Sequence, residues 1–433
     1  MNRTLLVEHL PVTGIRPGEL VIASEIAHPG RGQVGCPAAP LLAAAVARGE
    51  PGAGGRPVRL EPVTATAGPA GHDDAVLVMA SYQDRAGQAA GFGAAAPAGD
   101  HAAVALCAEL VVGWTGVLRS RRLLVADADP DCPGARAAVE AMLEASAHGP
   151  VYVVGQPVAQ AGSLAELAAC GVTIVADPDA VPDGAIVVFP AHGVPLAVRA
   201  EAAARGLRVV DATCPLVAMA HQDIRAYADR GDKVALITGG HATAAEAASV
   251  SQAPESVLPV HSAAAVAHLR RAGIDPDRLS LVVQTGIPVG SATGIIAALR
   301  ASFPRVRGQH YDALCYAATD RAATVRQVAS VSDLVLVLGA PGDPDSTQML
   351  AEAARPEAAG GRPVHRVAQV RDIEAGWLAD ATTIGTVLTR SAPPGLLTQV
   401  CDALSGLGPL SLVTRQTRTR HQLPSPTPAD RVR

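Results

Sequence analysis

The stretch AIVVFPAHGVPLAVRAEAAARGLRVVDATCPLV, Ala185 to Val217, holds one structural unit and the start of the next. A short apolar run, Ile186 to Phe189, stops at the turn Pro190-Ala191-His192-Gly193. A helical pattern follows from Leu196 and closes at Gly206, a residue suited to the left-handed conformation that ends helices. A second apolar run, Leu207 to Val210, stops at a turn holding one cysteine, Cys214, with Pro215 directly after it. Proline is tolerated in the first turn of a helix, where its missing N–H leaves no bond unmade. The stretch therefore predicts strand, helix, strand, helix, the grammar of a parallel α/β sheet.

The same grammar extends in both directions. RRLLVADAD (121–129), PVYVVG (150–155) and VTIVAD (172–177) read as strands on the N-terminal side. KVALITGG (233–240), LSLVVQTG (279–286), DLVLVLGA (333–340) and TTIGTVLT (382–389) continue the series. GARAAVEAMLEASAHG (134–149) and SLAELAACG (163–171) are helical patterns with glycine stops. Turns at the C-terminal ends of such strands form the ligand crevice. Residues 1–120 differ: they carry Gly/Pro/Ala-rich runs and two expected helices, around APLLAAAVARG and AAVALCAELVVGWTGVLRSRR. We place boundaries near 120 and 415. They give a small N-terminal accessory domain (1–120), an α/β core (121–415) and a disordered basic tail (416–433).

Composition narrows the function classes. The 433 residues are 49% hydrophobic and 2% aromatic, so the core is built from Ala, Val, Leu and Ile. A net charge of −5 gives no basic face for nucleic acid. The N-terminus has no continuous apolar signal segment, and no apolar run reaches the length of a membrane span. A cytoplasmic protein is expected. Seven widely spaced cysteines, an odd number with no CxxC pair, argue against a disulfide framework and a zinc ribbon.

Three of those cysteines occupy comparable turns: Cys132 in DPDCPGA, Cys214 in DATCPLV and Cys315 in YDALCYAATDR, each before a helix. Helix N-termini favour thiolate. The trio is either three buried structural thiols or three ligands of a [4Fe-4S] cluster with one iron left open. Cys107, Cys170 and Cys401 fall in apolar helical patterns and are expected in the core, while Cys36, ahead of a predicted helix, is ambiguous.

The wording around these cysteines resembles the 4-hydroxy-3-methylbut-2-enyl diphosphate reductase family (IspH/LytB). That family carries a Ser-Ala-His-Gly-Val turn and an Asp-Ala-Thr-Cys-Pro-Leu-Val turn at this same separation. The resemblance covers roughly residues 121–415. It implies a three-lobed trefoil of α/β units around a central cluster held by Cys132, Cys214 and Cys315. It also implies reductive removal of the allylic hydroxyl of the diphosphate substrate, giving isopentenyl and dimethylallyl diphosphate, with electrons from a ferredoxin or flavodoxin-type donor. The family's glutamate turn matches GHATAAE, placing Gly240, His241 and Glu246 in register, with Glu246 the implied acid. Thr285 in VVQTG matches the family's Thr-Gln-Thr turn. His192, His241, Ser391 in TRSAPP and Ser346 in GDPDS are the implied substrate-binding residues.

The chain departs from the family at the diphosphate. Two family histidines fall at Ala159 and Ala244. The family's Ser-Ser-Asn run falls on Asp343-Pro344-Asp345 in the most direct register, with Ser346-Thr347 the nearest replacement hydroxyls. Asp131 stands beside the first cysteine, where like charge would disfavour reduction. Two other readings therefore stand beside the reductase: a cluster enzyme for a less anionic substrate, or a non-catalytic cluster-binding protein. The N-terminal segment faintly resembles nucleoside phosphorylases, but Met79-Ala80-Ser81 lacks the glutamate of their Met-Glu-Ser turn.

Overall fold

A computed structural model describes residues 6–49, 56–68, 75–83, 89–127, 131–239, 243–310 and 313–417. The chain divides into two compact units, residues 1–127 with 325–416, and residues 128–324 with 417–433.

The second unit contains two four-stranded parallel sheets. One runs in the order β11-β10-β8-β9, from β8 (Val151–Val154), β9 (Val172–Val175), β10 (Ile186–Phe189) and β11 (Arg208–Asp211). The other runs β13-β12-β14-β15, from β12 (Lys233–Ile237), β13 (Val257–Val260), β14 (Leu279–Val283) and the short β15 (Arg307–Gly308). Helices cover both faces of a parallel sheet, so its inner strands are apolar throughout. Every residue of β10 and β14 is buried. Ser280, inside β14, is compatible with that because it donates to Asp232 Oδ2 at 2.8 Å.

The first unit contains the third parallel sheet, β17-β16-β18-β7-β19, from β7 (Arg121–Ala126), β16 (Leu334–Leu338), β17 (Val364–Val367), β18 (Thr383–Leu388) and β19 (Leu410–Arg415). The three α/β sheets expected of the trefoil are thus all present.

The same unit holds a six-stranded, mostly antiparallel sheet that sequence patterning did not reveal. Its order is β1-β5-β6-β3-β2-β4, from β1 (Leu6–Val12), β2 (Leu20–His28), β3 (Gly32–Gly35), β4 (Val58–Thr64), β5 (Ala75–Gln83) and β6 (Ala89–Pro97). β6, with sequence AAGFGAAAP, reads as a low-complexity run, yet it lies inside the sheet. Its glycines are required by close approach. A Cβ on Gly91 would run into the Ala80 carbonyl, and one on Gly93 would lie 2.9 Å from Leu77 Cδ1. The first expected helix is Ala39–Ala47. The second is His101–Thr115, stopping earlier than the pattern suggested because Arg121 and Arg122 enter β7.

The two sheets of the first unit share one apolar core, which includes Leu41, Phe92, Trp114, Leu336 and Leu404. Tyr82 Oη donates to the Ser405 carbonyl at 2.5 Å and accepts from the Gly408 N–H at 3.0 Å, tying β5 to the C-terminal segment. Met79 and Ala80 are fully buried, and Ser81 accepts from Arg31, which also pairs with Glu8. Among the described residues no helix is long and apolar enough to cross a membrane. The basic tail from residue 418 lies outside the described residues.

Candidate functional site

Cys132, Cys214 and Cys315 fall within the second unit. Cys132 is the N-cap of the helix Pro133–Ser146, and its Sγ accepts from the Ala135 N–H at 3.4 Å. Cys214 is the N-cap of the helix Pro215–Asp229. Its own N–H donates to the Ala191 carbonyl at 2.9 Å, while Ala212 N–H donates to Phe189 O at 3.0 Å. Those two bonds set the cysteine turn alongside the Pro190–Gly193 turn, as the parallel register of β10 and β11 requires. The turn is braced from outside. Asp211 accepts from Arg199 at 2.5 Å and from the Thr213 N–H at 3.1 Å. Burial would raise the Asp211 pKa, but these donors hold its carboxyl below the usual range.

Cys315 precedes the helix Ala317–Ser330 and packs against Cys214, Leu216 and Val217. Gly134 allows the approach of the first two cysteine turns: a Cβ there would sit 2.6 Å from Cys214 Sγ. Burial pushes the Cys214 thiol up, opposed by the Leu216 and Val217 N–H groups. Burial pushes the Cys315 thiol up to about 11, opposed by the N–H groups of Ala317 and Gly286 and reinforced by the charges of Cys132 and Cys214. The three sulfurs therefore sense one another, and each faces backbone donors at a helix start.

That donor set fits a multi-iron cluster better than a single ion. Among the described residues, the one set whose ligand atoms all lie within 4.8 Å of one another is Asp177, Asp179 and Glu201, on the surface. The three thiols are not all that close, which is not the packing of a single-ion site. Thiolate ligands, helix N-termini and a mostly buried setting suit an iron–sulfur cluster. The remaining cysteines separate. Cys36 and Cys107 are buried, with thiols pushed to about 12 mainly by burial. Cys401 is half-buried, and Cys170, expected in the core, is exposed because it caps the C-terminus of the helix Ala161–Ala169.

Beside the cysteines lies a small cleft lined by His192, Val217, Ser249, Gln284 and Thr285, among others. Gly286 (φ +95°) is adjacent, and a Cβ there would lie 3.7 Å from the His192 ring. Glu246 opens the helix Ala244–Val250, whose Ala245 and Ser249 also line the cleft. Its N–H donates to Thr243 Oγ1 at 3.1 Å, and Gln284 Nε2 donates to the same oxygen at 3.3 Å, joining the glutamate turn to the Thr285 turn. Glu246 is 9% exposed, and its Oε2 is buried with no hydrogen-bond partner. Such an oxygen is costly unless a ligand completes it. His241 lies outside the described residues. Ala159 is buried, and Asp131, 2% exposed, accepts from the neighbouring Gln160 N–H at 3.1 Å.

His221 was not singled out from sequence. It is buried behind the cleft, with Nε2 3.3 Å from Ser249 Oγ. Gly193 (φ +72°) leaves room for it, since a Cβ there would stand 3.2 Å from its Cε1. Burial, aided by Arg199 and Arg225, pushes its pKa down to about 4. The fold thus favours the neutral ring. Stability from this group is complete above about pH 6.5 and is lost as pH falls toward 4, by about 2 kcal/mol at pH 5. Thermal melts of cluster-free protein at pH 7 and pH 5 should show this loss, and His221→Asn should reduce the difference. An unchanged difference would mean that other groups carry the acid sensitivity.

Ser346 and Ser391 belong to the first unit: Ser346 lies in the first turn of the helix Pro344–Ala353 that follows β16, and Ser391 in the turn after β18. Ser391 Oγ accepts from the Ala340 N–H at 3.0 Å and donates to Asp343 Oδ2 at 2.9 Å. Asp345 accepts from the Arg390 N–H at 2.9 Å and pairs with its guanidinium at 3.2 Å.

A model of the LytB protein family matches residues 123–405. The chain belongs to the LytB family. It is 39% identical over 304 residues to 4-hydroxy-3-methylbut-2-enyl diphosphate reductase 2 of Mycobacterium bovis, covering 69% of this chain and 90% of that protein. It is 37% identical over 264 residues to the 4-hydroxy-3-methylbut-2-enyl diphosphate reductase of Chromohalobacter salexigens, covering 60% of this chain and 81% of the relative. Among solved structures, the E-1-hydroxy-2-methyl-but-2-enyl-4-diphosphate reductase of Plasmodium falciparum shares the fold, with a TM-score of 0.61 and 22% identity over 71% of this chain and 96% of that one. The LytB match begins at Leu123, two residues into β7, so the six-stranded sheet precedes it.

Proposed function

We propose that this LytB chain reduces 4-hydroxy-3-methylbut-2-enyl diphosphate to isopentenyl and dimethylallyl diphosphate. The observation that carries the reading is the convergence of Cys132, Cys214 and Cys315 on helix N-termini beside a cleft lined by His192 and Thr285. Held by the Cys132, Cys214 and Cys315 thiolates, a [4Fe-4S] cluster would supply electrons singly and act as a Lewis acid. The chain does the rest. Its helix N–H groups stabilise the thiolates, Thr285 orients the hydroxyl end of the substrate, His192 binds its diphosphate, and Glu246 holds the proton. The C–O bond breaks and a C–H bond forms, at a cost of two electrons and two protons, and the hydroxyl departs as water. A ferredoxin or flavodoxin-type protein is the electron donor. Residues 1–120 act as an accessory domain without catalysis.

The test is anaerobic. Protein with a reconstituted cluster is given a strong one-electron reductant and the allylic diphosphate, and both products are followed. Formation of both supports the reading. An intact cluster without product would move it to a less anionic substrate or to a binding role.

A further inference from the structure

In the first unit, β16 ends at Leu338, just before Gly339, and its parallel neighbour β18 ends at Leu388, just before Thr389. The helix Pro344–Ala353 follows β16 after a short turn, with Asp343 as its N-cap. Three hydroxyls gather where Gly339 has no side chain. A Cβ there would lie 3.0 Å from Ser391 Oγ and 3.1 Å from Ser346 Oγ, and would overlap Thr389 Oγ1. The Asp343 carboxylate is lodged against this group: its Oδ2 accepts from the Ser346 N–H at 2.7 Å and from Ser391 Oγ at 2.9 Å. Ser346 is fully buried, yet its Oγ makes no hydrogen bond. A helix start, a donating serine and an idle buried hydroxyl form a cradle for an anion.

An ordinary N-cap would satisfy the helix alone. Asp343 also takes the hydroxyl of a residue 48 positions away, on the loop after β18. The two carboxylates of this segment are treated differently. Asp345 is neutralised by Arg390, whereas no basic side chain pairs with Asp343 among the described residues. The cradle therefore holds one uncompensated negative charge belonging to the chain itself.

We propose that Asp343 is an internal anion that competes with an incoming phosphate group for the Ser346 and Ser391 donors, and so determines how strongly this unit binds a phosphorylated ligand. The inference rests on the reductase reading only for the identity of the incoming anion. An incoming phosphate must displace the carboxylate or bind beside it, and like charge opposes the second course. The donors it would gain are charge-assisted once bound to an anion. Asparagine at position 343 can still cap the helix, since Asn and Asp rank together as N-caps.

The test uses the full chain and inorganic pyrophosphate, with binding followed by calorimetry. Asp343→Asn should bind pyrophosphate about tenfold or more tighter than the unmodified chain. Asp343→Ser, a second good cap, should show a gain in the same direction. Adding Ser391→Ala to Asp343→Asn should remove most of the gain. The proposal fails if both Asp343 variants, folded by thermal melt, bind pyrophosphate no tighter than the parent. It fails equally if the gain survives Ser391→Ala, because the anion would then bind elsewhere. No turnover is needed, so an inactive enzyme with a tighter Asp343→Asn complex would sink the reductase reading and leave this one standing.

Discussion

Cys214→Ser is expected to yield a folded chain that cannot hold an iron–sulfur cluster and has no measurable reductase activity. The replacement is nearly isosteric, so packing against Leu216, Val217 and Cys315 changes little. Serine is also a favoured N-cap, and Cys214 is the N-cap of Pro215–Asp229 with no side-chain cap bond to lose. Stability of the cluster-free protein should shift by no more than about 1 kcal/mol. The chemistry of the donor changes entirely. A hydroxyl is a poor ligand for iron in a cluster, where soft thiolate is preferred. Iron and sulfide content after anaerobic reconstitution, with the visible absorption of the product, measures the effect. Cys132→Ser and Cys315→Ser should behave alike, and Cys170→Ser, at an exposed helix end, should reconstitute normally. Full iron content in Cys214→Ser would remove the three-cysteine centre and every step that depends on it.

The α/β core was legible because its signals are local and redundant. Apolar runs such as LVLVL are bounded by turns, helices end at glycine, and the two strand-end turns PAHG and DATC lie in adjacent parallel strands. The three cysteines could be paired with helix starts because Pro133 and Pro215 mark first helical turns. The six-stranded sheet was not legible. β6 is mostly Ala and Gly, with none of the β-branched residues that advertise a strand. Its glycines answer to a neighbouring strand that no local pattern reveals. His221 escaped notice for a related reason: a lone histidine on an amphipathic helix reads as surface or core, and only its position behind the cleft gives it meaning. Asp343 is the instructive case. The most direct sequence register placed two aspartates where the family's Ser-Ser-Asn run was expected and did not distinguish between them. The structure distributes the charge unequally, with Asp345 answered by Arg390 and Asp343 left holding the donors.

Glu246→Gln should leave the cluster, the fold and substrate binding in place while lowering turnover about 10²–10⁴-fold, the range lost with a positioned general acid. Oε2 is buried with no partner, while the backbone of Glu246 is fixed through Thr243, which also accepts from Gln284 beside Thr285. An unpartnered buried carboxyl oxygen is poised to give a hydrogen bond to a ligand when protonated. Departure of an allylic hydroxyl as water needs such a proton at the oxygen. Glutamine keeps the length and one acceptor of the side chain but has no proton to transfer. Binding of the hydroxyl end can therefore survive while the C–O cleavage step does not. The measurement is product formation under a strong one-electron reductant, with iron content and the thermal melt checked in parallel. A drop in turnover at constant iron content assigns the proton to Glu246. Undiminished turnover would mean that the proton reaches the hydroxyl by another route, with Thr285, His192, Ser249 and Gln284 the other polar groups of the cleft to replace in turn.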